Sequence, residues 1–120
     1  MSRILVIDDL ADFAESLTRV VQAAEYAAKC VTDPRVAVEA AREFRRDLVL
    51  LDIGMPYING YELAPMLRKA LEPPRLRIAA VTAWGSDTDR QLSKSLGFDA
   101  HLVKPISEGL LRHTLEEFFS

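Results

Sequence analysis

Cysteine is almost absent. Only Cys30 occurs in 120 residues, so no intramolecular disulfide can form and no Cys/Cys or Cys/His spacing suits a soft metal ion. That thiol reads as a small hydrophobe within a strand. Basic charge is in no excess: 15 Lys and Arg stand against 18 Asp and Glu, for a net charge of −3. This argues against direct nucleic-acid binding, which needs a basic face for phosphate contacts. No apolar run approaches the roughly 20 residues of a membrane span, and the opening MSRILVIDD lacks a signal-peptide pattern. A cytoplasmic chain without membrane contact is expected. Linkers, repeats and low-complexity stretches are missing too. What remains is an ordinary globular composition, 49% hydrophobic and 28% charged. It reads as one domain over residues 1–120, able to bury a core without disulfides or a structural metal.

Apolar runs alternate with helical patterns from end to end, the mark of βαβ units around a parallel sheet. Strands are expected at Arg3–Ile7, Ala27–Val31, Leu48–Asp52, Leu76–Thr82 and Ala100–Val103. The second, AAKCV, carries Lys29 and suits a sheet edge. The first helix spaces Phe13, Leu17, Val20 or Val21, and Ala24 at helical intervals. The second starts at Asp33-Pro34 and buries Ala37, Ala40, Ala41 and Phe44. The third runs from near Gly60 to Ala70, and Pro65 should bend it or confine its regular part. The fourth begins after Ser86, with Leu92 and Leu96 inward and Gly97 as its stop. The fifth is capped by Ser107 and sets Leu111, Leu115 and Phe118 on one face. This is a doubly wound α/β sandwich.

The strand ends carry the chemistry. In LVLLDIGMP, residues 48–56, four branched apolar residues run into a carboxylate, a glycine and a proline, and ILVIDD at 4–9 repeats the pattern. Ligands of open parallel sheets bind beyond the carboxyl ends of the strands, and that rim collects Asp8, Asp9, Asp52, Thr82 and Lys104. Each alone reads as a cap, a turn former or a solvated lysine; together they read as a site. Two carboxylates about 4 Å apart repel by roughly 4 kcal/mol at an effective dielectric near 20. Three make three such pairs, more than Lys104 can offset. Either one carboxyl stays protonated or a cation binds. Mg²⁺ is the natural candidate, because no histidine or cysteine pair is available for a softer ion, and Gly54 lets a backbone carbonyl turn toward it. With the metal present, a carboxylate nucleophile, a lysine and a hydroxyl make up a phosphoryl-transfer site.

Four stretches, ILVIDD at 4–9, DLVLLDIGMPYINGYEL at 47–63, AVTAWG at 80–85 and GFDAHLVKPI at 97–106, closely resemble the receiver domains of two-component response regulators. They keep their order over the whole chain and are highly specific together. The resemblance implies a flavodoxin-like (βα)5 fold of strand order 2-1-3-4-5. It further implies that a phosphohistidine, on a sensor histidine kinase or a histidine phosphotransfer protein, gives its phosphoryl group to Asp52. By position, Asp9, Asp52 and the carbonyl of Gly54 would ligate Mg²⁺ directly and Asp8 mostly through water. Thr82 and Lys104 would grip the phosphoryl oxygens, His101 would sit at the switch position, and Lys104-Pro105 would be cis. Such a chain is no enzyme beyond catalysing its own phosphorylation and slow dephosphorylation.

AVTAWG with DAHLVKPI looks most like the receivers attached to hybrid histidine kinases. The first strand nevertheless starts two residues after Met1, so a stand-alone receiver or the N-terminal piece of a longer regulator is expected. Arg90, Lys94, His101 and Arg112 fall on the fourth helix, fifth strand and fifth helix, the face that receivers commonly offer a downstream partner. TDP at 32–34, Pro65 and Trp84 depart from the family pattern. They bear on dephosphorylation rate and partner surface, and none is expected to touch the phosphorylation constellation. Two other readings are weaker. A haloacid-dehalogenase-like phosphatase needs a DxD pair where Asp8-Asp9-Leu10 stands, and a flavin phosphate would be repelled by DDLADF.

Overall fold

A computed structural model describes residues 2–71 and 76–119; the ends of the expected domain, Met1 and Ser120, lie outside the described residues. The strands are β1 (Arg3–Ile7), β2 (Ala27–Val31), β3 (Leu48–Asp52), β4 (Arg77–Thr82) and β5 (Ala100–Val103). The helices are α1 (Ala11–Ala23), α2 (Ala37–Phe44), α3 (Gly60–Ala70), α4 (Asp87–Ser95) and α5 (Glu108–Phe119). All strand pairs are parallel, in the order β2-β1-β3-β4-β5. The flavodoxin-like (βα)5 expectation therefore holds, and Lys29 is exposed on an edge strand as its charge requires.

Every residue of β3 is buried, as a central strand covered on both faces demands. Side chains alternate between two cores. Leu5, Ile7, Val49, Leu51, Ile78 and Ala80 pack under α2 and α3 with Phe44, Leu63 and Leu67. Ile4, Val6, Leu48, Leu50, Ala79 and Val81 pack under α1 and α5 with Leu17, Val21, Leu111 and Leu115. A buried leucine or isoleucine of this kind contributes about 1.5–3 kcal/mol, so the sheet forms a stiff base for whatever follows its strands.

Local signals start and stop the helices. Asn59 and Glu62 form a reciprocal capping box at α3, and Ser86 and Asp89 form another at α4. Gly97, at φ +86°, takes the left-handed stop after α4. Pro65 lies inside α3 without interrupting it. The expected second helix divides: Asp33 accepts a bond from the Arg35 N–H and caps a 3-10 turn at Pro34–Val36, after which α2 begins at Ala37. Ala40 is only half-buried, and β4 starts at Arg77 rather than Leu76. In α1 the fully buried positions are Ala14, Leu17, Thr18 and Val21, with Phe13, Val20 and Ala24 at the margin. Phe118 of α5 is half-buried against the second core.

The largest correction concerns α4. Leu92 and Leu96, expected inward, are each 43% exposed, and Ser93 is buried in their place. The Ser86 cap fixes where the helix starts, and with it which side meets the sheet. Arg68 of α3 also donates to the Leu96 and Gly97 carbonyls at 3.1 and 2.8 Å, favourable contacts at a helix C-terminus.

Gly60 sets how closely α3 approaches β3. A Cβ there would lie 2.5 Å from the Asp52 carbonyl oxygen and 2.8 Å from the Ile53 Cα, backbone atoms that cannot yield. Gly109 at the start of α5 has open space around it. Gly60→Ala is therefore expected to cost about 2 kcal/mol or more through overpacking, whereas Gly109→Ala should gain up to about 1 kcal/mol from helix propensity. Urea denaturation of the two variants against wild type measures both.

Candidate functional site

The sheet register brings the polar residues into one row. Ile7 lies opposite Leu51, so Asp8 and Asp52 leave neighbouring strands at the same level. Asp52 pairs with Val81 and Thr82 with Val103, which puts Thr82 and Lys104 one step further along the rim. Adjacent strands are about 4.8 Å apart, and one carboxylate oxygen from each of Asp8, Asp9 and Asp52 lies within 4.8 Å of the other two. Asp8 and Asp52 are buried, and Asp9 is partly so. The Lys104–Pro105 peptide is cis.

Lys104 is the cation that enters this cluster. Its Nζ donates to Asp8 Oδ2 at 2.9 Å and approaches Asp52 Oδ1 at 3.5 Å. The ammonium also sits 4.3 Å from the centre of the Phe13 ring, a cation–π contact that helps a partly desolvated charge. Asp8 accepts a second bond, from the Leu10 N–H at 2.9 Å. Asp52 accepts a long bond, 3.4 Å, from the Gly54 N–H. Its carboxyl is pushed up to about 6: burial is the main cause, followed by repulsion from Asp8, with Lys104 pulling the other way. A hydrogen bond with Asp9 and the charge of Asp9 raise it further.

A cleft of about 260 Å³ opens above Asp52, lined by Asp9, Gly54, Thr82, Lys104 and neighbouring residues of the rim. Thr82 is buried, and its Oγ1 accepts from the Trp84 N–H at 3.1 Å. His101 reaches the Trp84 carbonyl through Nε2 at 2.8 Å, while its buried Nδ1 has no partner among the described residues. The donor set around the carboxylates is oxygen throughout, which fits a hard divalent cation and not a soft one. Two carboxylates within 4.8 Å of each other repel by roughly 3 kcal/mol or more at an effective dielectric near 20. Three negative charges against one ammonium leave an excess that a divalent cation matches.

Comparison with known proteins gives the same reading. Residues 4–116 match the family model described as the response regulator receiver domain. The chain belongs to the response regulator receiver family. PilH of Pseudomonas aeruginosa is 30% identical over 115 residues, covering 96% of this chain and 95% of that protein. The DNA-binding response regulator MtrA of Mycobacterium tuberculosis is 38% identical over 103 residues, 86% of this chain. The chain spans 44% of the length of MtrA. In structure, the Vibrio cholerae chemotaxis protein CheY4 superposes with a TM-score of 0.90 at 27% identity over 99% of both chains. A receiver is a phosphoacceptor, with no catalysis beyond its own phosphorylation and dephosphorylation.

Every residue singled out for the receiver site, Asp8, Asp9, Asp52, Gly54, Thr82, His101 and Lys104, stands at or beside this rim. Trp84 does too, contrary to expectation: it lines the cleft, with its ring against Gly54. The sequence hid this contact because Trp84 and Gly54 sit in loops after different strands, where no periodicity aims a side chain. Phe13 was legible only as a core residue, yet it faces the ammonium of Lys104. Among the described residues no helix is long and apolar enough to cross a membrane.

The raised Asp52 carboxyl has a consequence for stability. The folded receiver holds this proton more tightly than the unfolded chain, whose Asp titrates near 3.8. Without metal the wild type therefore loses stability as pH rises from about 4 through 6, and the loss is complete above that. Asp52→Asn removes the term. In EDTA the variant should gain on wild type with rising pH, by on the order of 1–3 kcal/mol at pH 8 and by almost nothing at pH 4. Urea melts at both pH values check this, and an equal difference at the two would contradict it.

Proposed function

We propose that Asp52 accepts a phosphoryl group from a phosphohistidine, carried by a sensor histidine kinase or a histidine phosphotransfer protein. The observation that carries this is the single cleft that unites a buried carboxylate at the end of the central strand with Asp9, Thr82 and Lys104. Asp52 Oδ would attack phosphorus in line while the P–N bond breaks and its electron pair leaves with the imidazole. Lys104 can exchange its 3.5 Å approach to Asp52 for a bond to a phosphoryl oxygen. The Thr82 hydroxyl can donate to another oxygen and still accept from the Trp84 N–H.

Mg²⁺ would be held by Asp9, Asp52 and the Gly54 carbonyl, with Asp8 acting through water. The donor set supports this division, since Asp8 is already engaged by Lys104 and the Leu10 N–H. Bound there, the ion would supply Lewis-acid charge at the phosphoryl oxygens and keep Asp52 ionised. The cytoplasmic location and the single receiver unit over residues 1–120 are further parts of this reading.

Signalling would run from Thr82 to His101, whose Nε2 is tied to the Trp84 carbonyl. The downstream partner would meet α4, β5 and α5, where Leu92 and Leu96 are exposed, Arg90 and Lys94 lie on α4 and Arg112 on α5. Direct nucleic-acid and membrane contacts are not part of this proposal.

Incubation with acetyl phosphate and Mg²⁺, followed by intact-mass measurement, should give a phosphoryl adduct on wild type and none on Asp52→Asn. An equal adduct on the variant would remove the assignment. Thr82→Ala should still take up the group but lose the coupling to α4 and β5. Amide shifts of α4 with and without beryllofluoride read that loss, and shifts of wild-type size in the variant would count against it.

A further inference from the structure

A second cavity, of about 200 Å³, opens over the edge strand between β2 and α2 and shares no lining residue with the cleft above Asp52. The strand pattern accounts for it. Along β2, Ala28 and Cys30 turn to the core under α1 and α5, whereas Ala27 and Val31 turn to the core under α2. Lys29 falls between the latter two, on the α2 side, opposite the buried Leu5 of β1. The helix sets Ala37 and Ala41 against the sheet and Ala40 at the cavity, side chains too short to fill the space over an edge strand. Leu5, Val31 and Ala40 give the cavity an apolar lining.

Two cations reach into this space. The Arg3 guanidinium carbon lies 4.4 Å and the Lys29 ammonium 5.5 Å from the centre of the Phe44 ring, so one aromatic face holds both. Arg3 Nε donates to the Phe44 carbonyl at 2.6 Å, which fixes the guanidinium. Its two terminal amino groups have no partner among the described residues, and neither cation is ion-paired there. Asp47 accepts from the Arg3 backbone N–H at 2.7 Å and does not line the cavity. Glu43 does line it. Two positive charges against one negative leave a single positive charge in excess, beside a guanidinium fork that matches a carboxylate. An inward-pointing lysine can by itself guard a sheet edge, but that role needs neither the open fork of Arg3 nor a cavity beside it.

We propose that this cavity binds a small monocarboxylate with an apolar or aromatic body. The carboxylate takes the terminal amino groups of Arg3 and the Lys29 ammonium, while the body lies against Leu5, Val31 and Ala40. Glu43 disfavours a dianion. The volume is below the roughly 300 Å³ at which sites for drug-sized ligands begin, and suits a body no larger than a single ring. Nothing in this site depends on Asp52 as the acceptor.

Sodium benzoate serves as the probe, titrated into isotope-labelled protein at constant ionic strength while amide shifts are followed. In wild type the shifts of Lys29, Cys30 and Phe44 should saturate with a millimolar Kd, and acetate, benzyl alcohol and inorganic phosphate should each bind at least about tenfold more weakly. Lys29→Gln, at an exposed side chain, should weaken benzoate about tenfold. Ala40→Leu keeps both cations but occupies the space of the ring, and should abolish saturation while amides remote from α2 keep their wild-type shifts. Benzoate shifts that never saturate in wild type, or binding of wild-type strength in either variant, would overturn the site. Acetate, benzyl alcohol or phosphate binding as tightly as benzoate would overturn the ligand class.

Discussion

Mutual repulsion among Asp8, Asp9 and Asp52 is the constraint on which the site depends. Two strands buried at their carboxyl ends finish at the same level and deliver two carboxylates from which the chain cannot retreat. The rigidity that aims them also stops them from relaxing apart. Lys104 offsets part of the charge, and burial with the neighbouring carboxylates drives the Asp52 carboxyl up to about 6. A site of this kind is poised to take up a cation, which relieves the repulsion that the fold imposes.

The coupling outward from the site is short. Thr82 Oγ1 accepts from the Trp84 N–H, and the Trp84 carbonyl accepts from His101 Nε2. One residue, Trp84, thus lies between the Thr82 hydroxyl and the imidazole of His101 on β5. The nearby helix α4 is lightly committed to the core: its one buried residue is Ser93, whose hydroxyl has no partner among the described residues, and two leucines face solvent. An element with few buried apolar contacts opens or shifts at low cost.

Much of this was legible in the sequence, for physical reasons. Runs such as LVLLD have one stable use in a chain of this length, a strand buried on both faces, and strand ends in a parallel sheet share a rim. The sequence alone therefore gathers the carboxylates, Thr82 and Lys104 on one rim. Helix faces were less secure. Leu92 and Leu96 carry the periodicity of a buried stripe, but the Ser86 cap and the Gly97 stop fix the start and end of α4, and its buried side falls on Ser93. The contact of Trp84 with Gly54 left no signal, because loop side chains are aimed by packing and not by sequence period.

Thermal melts of wild type and Asp9→Asn, each in EDTA and in millimolar Mg²⁺, test the repulsive cluster most directly. Removing one charge should make the variant more stable than wild type in EDTA by several degrees, whereas Mg²⁺ should raise the melting temperature of wild type and leave that of the variant nearly unchanged. A variant less stable than wild type in EDTA, or an undiminished response to Mg²⁺, would contradict the picture of three carboxylates held together against their repulsion.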